Sequence, residues 1–245
     1  MEIKEKRVLI TGANRGLGRA IALACLEAGA REVVAGVRHV ERAGDLVAAA
    51  GTERHRMKPV RLDVTSDDDA VAAASLGRVD ILINNAGVCG YGGALKGALE
   101  IIRREMEVNY FGSLRLARAF APAMVEHGDG LIVNVASMLA RVSLPAVGTY
   151  AATKAALLSL SQALRGDLSP YGVRVITVLP GTIDTDMARD YDIPKMPADL
   201  AASEILDAIR SEGLATAIGD EARGVFERLA VDPLGLEEAF AEFRA

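Results

Sequence analysis

The 245-residue chain has no tryptophan, two cysteines and three histidines, and aromatic residues make up only 4 % of it. So low an aromatic content excludes a base-stacking nucleic-acid surface, and a net charge of −5 repels phosphate backbones and anionic lipids. Any phosphate that binds must be held by a local site. Cys25 and Cys89 lie in apolar or glycine-rich stretches without metal-ligand spacing, and no secretory signal precedes them. They read as free thiols of a reducing cytoplasm, and no metal site is expected. An uninterrupted apolar run of about 18 residues, the minimum for a membrane span, occurs nowhere. Linkers, low-complexity tracts and internal repeats are missing as well, so residues 1–245 read as one domain.

Apolar residues, many of them alanine, make up 51 % of the chain, which suits helices packed closely on a sheet. Short β-branched runs alternate with longer alanine- and leucine-rich segments of helical period, the pattern of βα units wound into a parallel sheet. Strands are predicted at Arg7–Thr11, Glu32–Val37, Val60–Asp63, Ile81–Asn84, Gly130–Val135 and Arg174–Leu179. Such strands fit a doubly wound α/β sheet, the Rossmann fold. The periodicity fails from Thr185 to Pro197, where two prolines and Asp190-Tyr191-Asp192 intervene, so residues 185–200 are predicted to form a substrate lid.

The first strand ends in Thr11-Gly12-Ala13-Asn14-Arg15-Gly16-Leu17-Gly18, and a helix, Arg19 to Glu27, follows at once. Glycine permits unusual backbone angles and close approach of a diphosphate, while a helix N-terminus offers unpaired N–H groups and a positive dipole. Alone, the loop also fits a tight strand–helix turn, and its Gly-x-x-x-Gly-x-Gly spacing departs from the commoner Gly-x-Gly-x-x-Gly fingerprint. The octapeptide resembles the cofactor motif of the short-chain dehydrogenase/reductase family, and further matches follow in that family's order across residues 7–187. Leu62-Asp63-Val64-Thr65 resembles the strand end whose aspartate meets the adenine amino group. Asn84-Asn85-Ala86-Gly87 resembles the motif that supports the sheet and lies along the cofactor. Pro180-Gly181-Thr182-Ile183-Asp184-Thr185 resembles the segment that holds the nicotinamide carboxamide, through the Ile183 backbone and the Thr185 hydroxyl. The resemblance implies an oxidoreductase acting on CH–OH groups with NADP(H). It places Gly12, Asn14, Arg15, Gly16, Leu17, Gly18, Arg38, Asp63, Val64, Asn85, Ala86, Gly87, Tyr150, Lys154, Pro180, Gly181, Ile183 and Thr185 along that cofactor.

Tyr150 and Lys154 stand four residues apart in an alanine-rich helical segment, so both project from one face. A nearby ammonium stabilises a phenolate and moves the tyrosine toward a useful range. Ser137 follows the strand Leu131 to Val135, at the sheet edge that presents ligand-binding groups. The resemblance assigns Ser137 to hydrogen-bond the substrate oxygen, Tyr150 to exchange a proton with it, and Lys154 to hold the nicotinamide ribose while lowering the tyrosine pKa. It makes Asn109 the fourth catalytic member, kinking its helix and holding a water that links Lys154 to solvent.

Val37 occupies the position at the end of the second strand where an acidic residue would favour NAD, and Arg38 and Arg15 are both basic. The family position of this pair predicts a clamp on a 2′-phosphate, hence NADPH as the preferred cofactor. Cys89, Tyr91, Met138, Leu139, Leu144, Val147, Met187 and Tyr191 border the expected substrate site and are largely apolar, which favours uncharged hydrophobic ketones or aldehydes. Arg141 is the residue that would favour an acid if it turned inward. The helix Asp67 to Leu76 is short for the family, and residues 213–245 form an atypical C-terminal extension without the usual closing strand. That puts the standard tetramer in doubt and leaves a homodimer through the helices near Phe111 and Leu157, or a monomer. Two other readings share parts of this pattern. A sugar-nucleotide epimerase or dehydratase has a different glycine spacing and a larger C-terminal domain. An NADPH-binding redox sensor usually loses the tyrosine or the lysine.

Overall fold

The computed structural model describes residues 1–211 and 213–242. Its strands are β1 (Arg7–Thr11), β2 (Glu32–Val37), β3 (Met57–Arg61), β4 (Ile81–Asn84), β5 (Gly130–Val135), β6 (Val173–Pro180) and β7 (Ala215–Ile218). They pair in parallel in the order β3-β2-β1-β4-β5-β6-β7. The helices are α1 (Gly16–Glu27), α2 (Gly44–Ala49), α3 (Asp67–Ala74), α4 (Gly93–Lys96), α5 (Leu99–Met106), α6 (Gly112–His127), α7 (Gly148–Leu168), α8 (Ala198–Arg210), α9 (Asp220–Val231) and α10 (Pro233–Glu242).

The strand period of two divides the core into two layers. Val8, Ile10, Val33, Ala35, Ile81 and Ile83 pack with Ile21 and Cys25 of α1, Leu46 of α2, and Ile205 and Ile209 of α8. Leu9, Val34, Leu82 and Ile132 face the other way, toward Ala70 and Ala73 of α3 and Leu116 and Phe120 of α6. Both faces are covered, which is why these strands read as continuous apolar runs. Each fully buried leucine or isoleucine contributes about 1.5–3 kcal/mol.

Four strands stand where they were predicted, and β6 is one residue longer at each end. The third strand begins earlier, at Met57, and Asp63 lies beyond it. Pro59 obscures it in the sequence but is tolerated because β3 is the sheet edge. Asp63 has left the ladder because its carboxylate accepts from the Thr65 N–H and hydroxyl at 2.9 and 2.8 Å, forming its own turn.

The expectation of a tail without a closing strand is corrected: β7 pairs with β6 from Thr177 to Pro180. Its sequence, Ala-Thr-Ala-Ile, has little β-branched content and gives a weak strand pattern. Residues 243–245 of the predicted extension lie outside the described residues. The segment predicted as a lid opens on a turn of 3₁₀ helix, Asp186–Ala188, and its ends are tied together. Asp184 N donates to Met196 O at 2.8 Å, and Met196 N to Thr182 O at 2.9 Å. Of the residues that mark the helices named for a dimer surface, Phe111 is exposed and Leu157 is buried against Ala136, Ala140 and Leu179.

Gly172 makes the turn into β6 with φ +74°, and a Cβ there would overlap the carbonyl oxygen of Gly128. Neither backbone can yield, so Gly172→Ala is expected to destabilise the protein by roughly 1–3 kcal/mol. The denaturant midpoint measures this, and an unchanged midpoint would contradict it.

Candidate active site

The carboxyl ends of β1 and β4 lie side by side where the strand order reverses. Thr11 Oγ1 accepts from the N–H groups of Asn85 and Ala86 at 3.0 and 2.9 Å, and Asn85 Nδ2 donates to Thr11 O at 2.9 Å. This tie leaves no room beside Gly18, where a Cβ would overlap the Gly12 carbonyl oxygen and lie 2.5 Å from Asn85 Nδ2. Gly12 and Gly16 adopt φ +67° and +52°, the left-handed region that glycine alone enters freely. The first turn of α1 has no side-chain cap and no acidic residue, so its N–H groups are free to meet an anion.

Across the sheet, Ser137 ends the β5 segment and accepts from Leu139 N at 3.1 Å. Tyr150 and Lys154 stand on α7 as the spacing requires. Lys154 Nζ donates to Val135 O at 2.8 Å and lies 5.6 Å from the centroid of the Tyr150 ring. Asn109 falls in a π-helical turn, Glu107–Phe111, between α5 and α6, where the regular helix is interrupted. Its side chain is a clamp. Val88 N donates to Asn109 Oδ1, and Asn109 Nδ2 donates to Val88 O and Thr153 Oγ1, each at 2.9 Å. Both amide protons are thereby used, which leaves none for a water. A Cβ on Gly87 would stand 3.4 Å from Asn109 Oδ1 and 3.6 Å from Lys154 Nζ. Gly87 thus keeps open a cradle between the glycine loop and the expected catalytic side chains.

The electrostatics differ in one respect from expectation. Tyr150 retains some exposure, but protein surrounds its hydroxyl, and this burial pushes the phenol above its ordinary range. Cys89 adds to the shift, Ser137 opposes it by hydrogen bonding, and Glu105 and Tyr91 raise it further. The net shift is upward although the Lys154 ammonium stands 5.6 Å from the centroid of the Tyr150 ring. Burial also lowers Lys154 itself to about 8. Cys89, half-buried, is pushed up to about 12 by burial and by Glu105.

The remaining expected cofactor residues gather along the same edge. Asn14 and Arg15 are exposed at the crest of the glycine loop, and Arg15 Nη1 lies 3.3 Å from Asp186 Oδ2 at the start of the expected lid. Arg38 is exposed past β2. Burial raises Asp63, but the Thr65 hydrogen bonds and the charges of Arg104 and Arg38 outweigh it and leave the carboxyl below its usual range. Val64 is buried against Gly112. Gly181 N donates to Ile218 O, Ile183 bridges to Met196, and Thr185 Oγ1 donates to Ile183 O at 3.5 Å. On the substrate side, Tyr91 Oη donates to Met187 O at 2.6 Å and its ring meets Tyr191 edge-on at 5.7 Å. Leu139 and Leu144 are partly exposed, while Met138 and Val147 are buried behind them. Arg141 stands 5.1 Å over the Phe226 ring, at the rim. A groove of about 580 Å³ between α1 and α8 contains none of the expected catalytic side chains.

Three residues escaped sequence reasoning. Thr11 was visible as the first letter of the glycine motif, although its tie to Asn85 was not. Glu221 on α9 accepts from Thr182 N at 2.5 Å and fixes the Pro180–Thr185 segment from the tail. Glu105 is 1 % exposed, and nothing in the charged sequence of α5 distinguishes it from its exposed neighbours.

Residues 6–195 match the family model described as short chain dehydrogenase. A short-chain dehydrogenase from Burkholderia cenocepacia J2315, solved in complex with NADP, is 40 % identical. It superposes with a TM-score of 0.91 over 98 % of this chain and 99 % of that one. L-rhamnose 1-dehydrogenase (NAD(P)(+)) of Azotobacter vinelandii is 39 % identical over 199 residues, 78 % of each chain. Dehydrogenase/reductase SDR family member 7B of Bos taurus is 32 % identical over 223 residues. The match covers 86 % of this chain but 67 % of that protein, and 59 % of its Xenopus laevis counterpart. Among the described residues no helix is long and apolar enough to cross a membrane, and no cluster of three or more potential ligands could hold a metal ion.

A lysine whose folded-state pKa is depressed loses its proton in the folded state first. Between about 8 and the ordinary lysine value the unfolded chain therefore holds more protons, and stability rises with pH. Over that window the unfolding free energy of wild type minus that of Lys154→Met is expected to rise, by at most about 1.4 kcal/mol per pH unit. Denaturation series at several pH values measure it, and a flat difference would refute the titration.

Proposed function

Because the chain belongs to the short-chain dehydrogenase family of oxidoreductases, we propose that it transfers hydride between NADP(H) and a carbonyl or secondary alcohol, with an uncharged hydrophobic ketone or aldehyde as substrate. The observation that carries this reading is the convergence of Ser137, Tyr150 and Lys154 beside the Gly87 cradle. The uncapped turn of α1, the left-handed Gly12 and Gly16, and the crowding at Gly18 fit a dinucleotide diphosphate. When bound, the nicotinamide supplies hydride to the carbonyl carbon.

Negative charge then grows on the substrate oxygen, and the hydroxyls of Ser137 and Tyr150 are preplaced donors for it. The raised pKa of Tyr150 keeps the phenol protonated at neutral pH, ready to donate. Lys154, within reach of Tyr150 and Gly87, holds the ribose side of the cradle. Cys89, Tyr91, Leu139, Leu144, Met187 and Tyr191 supply an apolar wall, and the position of Arg141 over Phe226 supports an uncharged substrate.

The choice of NADP(H) is supported by the buried Val37 at the end of β2, by exposed Arg38 and by Arg15, whose partner Asp186 is itself exposed. An exposed pair is worth at most about 1 kcal/mol, so a phosphate can displace Asp186 from Arg15. The NADP-bound relative from Burkholderia points the same way. The two unpaired thiols suit a cytoplasmic protein.

Tyr150→Phe is expected to lower kcat/KM for ketone reduction by roughly 10²-fold or more, with NADPH affinity and melting temperature close to wild type. Near-wild-type turnover would remove Tyr150 as the proton donor. In the wild type, kcat/KM should favour NADPH over NADH by at least about tenfold, a preference reduced in Arg38→Ala or Arg15→Ala and largely lost in the double variant. Equal efficiency with both cofactors would return the arginines to the role of surface charges.

A further inference from the structure

Glu105 is out of place on α5. Glu100, Arg103 and Arg104 of the same helix are exposed, yet Glu105 is buried against the loop that follows β4. Gly90 N donates to Glu105 Oε1 at 2.6 Å, while Oε2 is buried and has no hydrogen-bond partner among the described residues. A buried carboxylate with one hydrogen bond is a cost to folding that an apolar side chain of similar volume would avoid. The position of Glu105 makes that cost intelligible as function. It lies behind the Cys89–Gly90 wall of the substrate cleft, beside a cavity of about 190 Å³ bounded also by Ile101 and Arg104. The wall cannot shift toward α5 as a larger residue, because a Cβ on Gly90 would overlap the Ile101 side chain.

We propose that Glu105 sets the charge preference of the substrate cleft: its carboxylate, buried behind the Cys89–Gly90 wall, discriminates against anionic substrates in favour of neutral carbonyl compounds. The inference rests on the reading of the cleft given above. A charge held in a protein interior is poorly screened and acts over a longer range than one at the surface. The field of Glu105 reaches both Cys89 and Tyr150. The nearby cations do not cancel it. Lys154 opposes Glu105 at Cys89 but acts there more weakly than Glu105 does, Arg104 borders the same cavity without an ion pair to Glu105 among the described residues, and Arg141 stands over Phe226. Tyr150 is faced by Cys89 and Tyr91 from the loop after β4, by Glu105 from α5, by Ser137 from β5 and by Lys154 from its own helix.

The test compares an aromatic 2-keto ester with the matching 2-keto acid, in wild type and in Glu105→Gln, which keeps the acceptor for Gly90 N. Wild type should prefer the ester by at least about tenfold in kcat/KM, and the variant should narrow that ratio by roughly threefold or more through faster turnover of the acid. The limb of the ester pH profile that reports Tyr150 should move to lower pH in the variant, since a negative charge nearby has been removed. A wild type that reduces the acid as well as the ester overturns the proposal, and this arm needs no folded variant. An unchanged ratio and pH profile in folded Glu105→Gln overturns it too. Full activity of Tyr150→Phe, by contrast, would sink the reading of the cleft itself.

Discussion

The tie between Thr11 and Asn85 holds the ends of β1 and β4 at one fixed separation, and both halves of the candidate site are built outward from it. On one side it closes the space beside Gly18, so α1 must begin where the chain leaves β1, with its free N–H groups facing the sheet edge. On the other it sets the direction in which Ala86, Gly87 and Val88 depart, and Asn109 grips that departing segment through both backbone groups of Val88. The same amide bonds Thr153, one residue before Lys154, so the loop, the π-turn and α7 share one register. The π-turn is the means. An extra residue in the turn lets the Asn109 side chain face inward while α5 and α6 keep their own packing faces.

Beneath this edge a buried polar chain joins the strands to α7. Asn84 Nδ2 donates to Asn134 Oδ1, Asn134 Nδ2 to Ser161 Oγ, and Ser161 Oγ to the Leu157 carbonyl, at 2.8, 2.8 and 2.7 Å. Each such bond contributes only about 0.5–1.5 kcal/mol net, while a broken one leaves a buried group unsatisfied at greater cost. A slipped register between β4, β5 and α7 is therefore penalised more heavily than apolar packing alone would penalise it. That gives the distance from Val135 to Lys154 its definition, two turns of helix above Ser161.

Much of this was legible in the sequence because the relevant rules are local. The strands β1, β2, β4 and β5 are apolar runs with turn residues at their ends, and the glycine loop and the Tyr150/Lys154 spacing carry their chemistry within a few residues. What was not legible depends on partners distant in the chain. β7 is a strand because β6 offers it an edge, not because Ala215–Ile218 prefers to be extended. Glu221 acquires its place from the approach of α9 to Thr182, and Glu105 from the loop folded over it. The early start of β3 belongs to the same class, since Pro59 is acceptable only where no neighbour needs its missing N–H.

The two perturbed titrations at the centre have one origin. Tyr150 and Lys154 are both surrounded by protein, and removal from water disfavours whichever form is charged, so the phenol rises and the ammonium falls. Burial is the largest cause of both shifts, and at Tyr150 Cys89, Glu105 and Tyr91 add to it. Together they bring the two groups into a state with a neutral donor on Tyr150 and an ammonium that gives up its proton near pH 8. A site poised in this way needs no strong base. In the proposed reaction it needs only that substrate charge grow where the Ser137 and Tyr150 hydroxyls already stand. The apolar packing that holds α7 on the sheet is therefore also what tunes the chemistry, and loosening it would return both groups toward their values in water before it unfolded the protein.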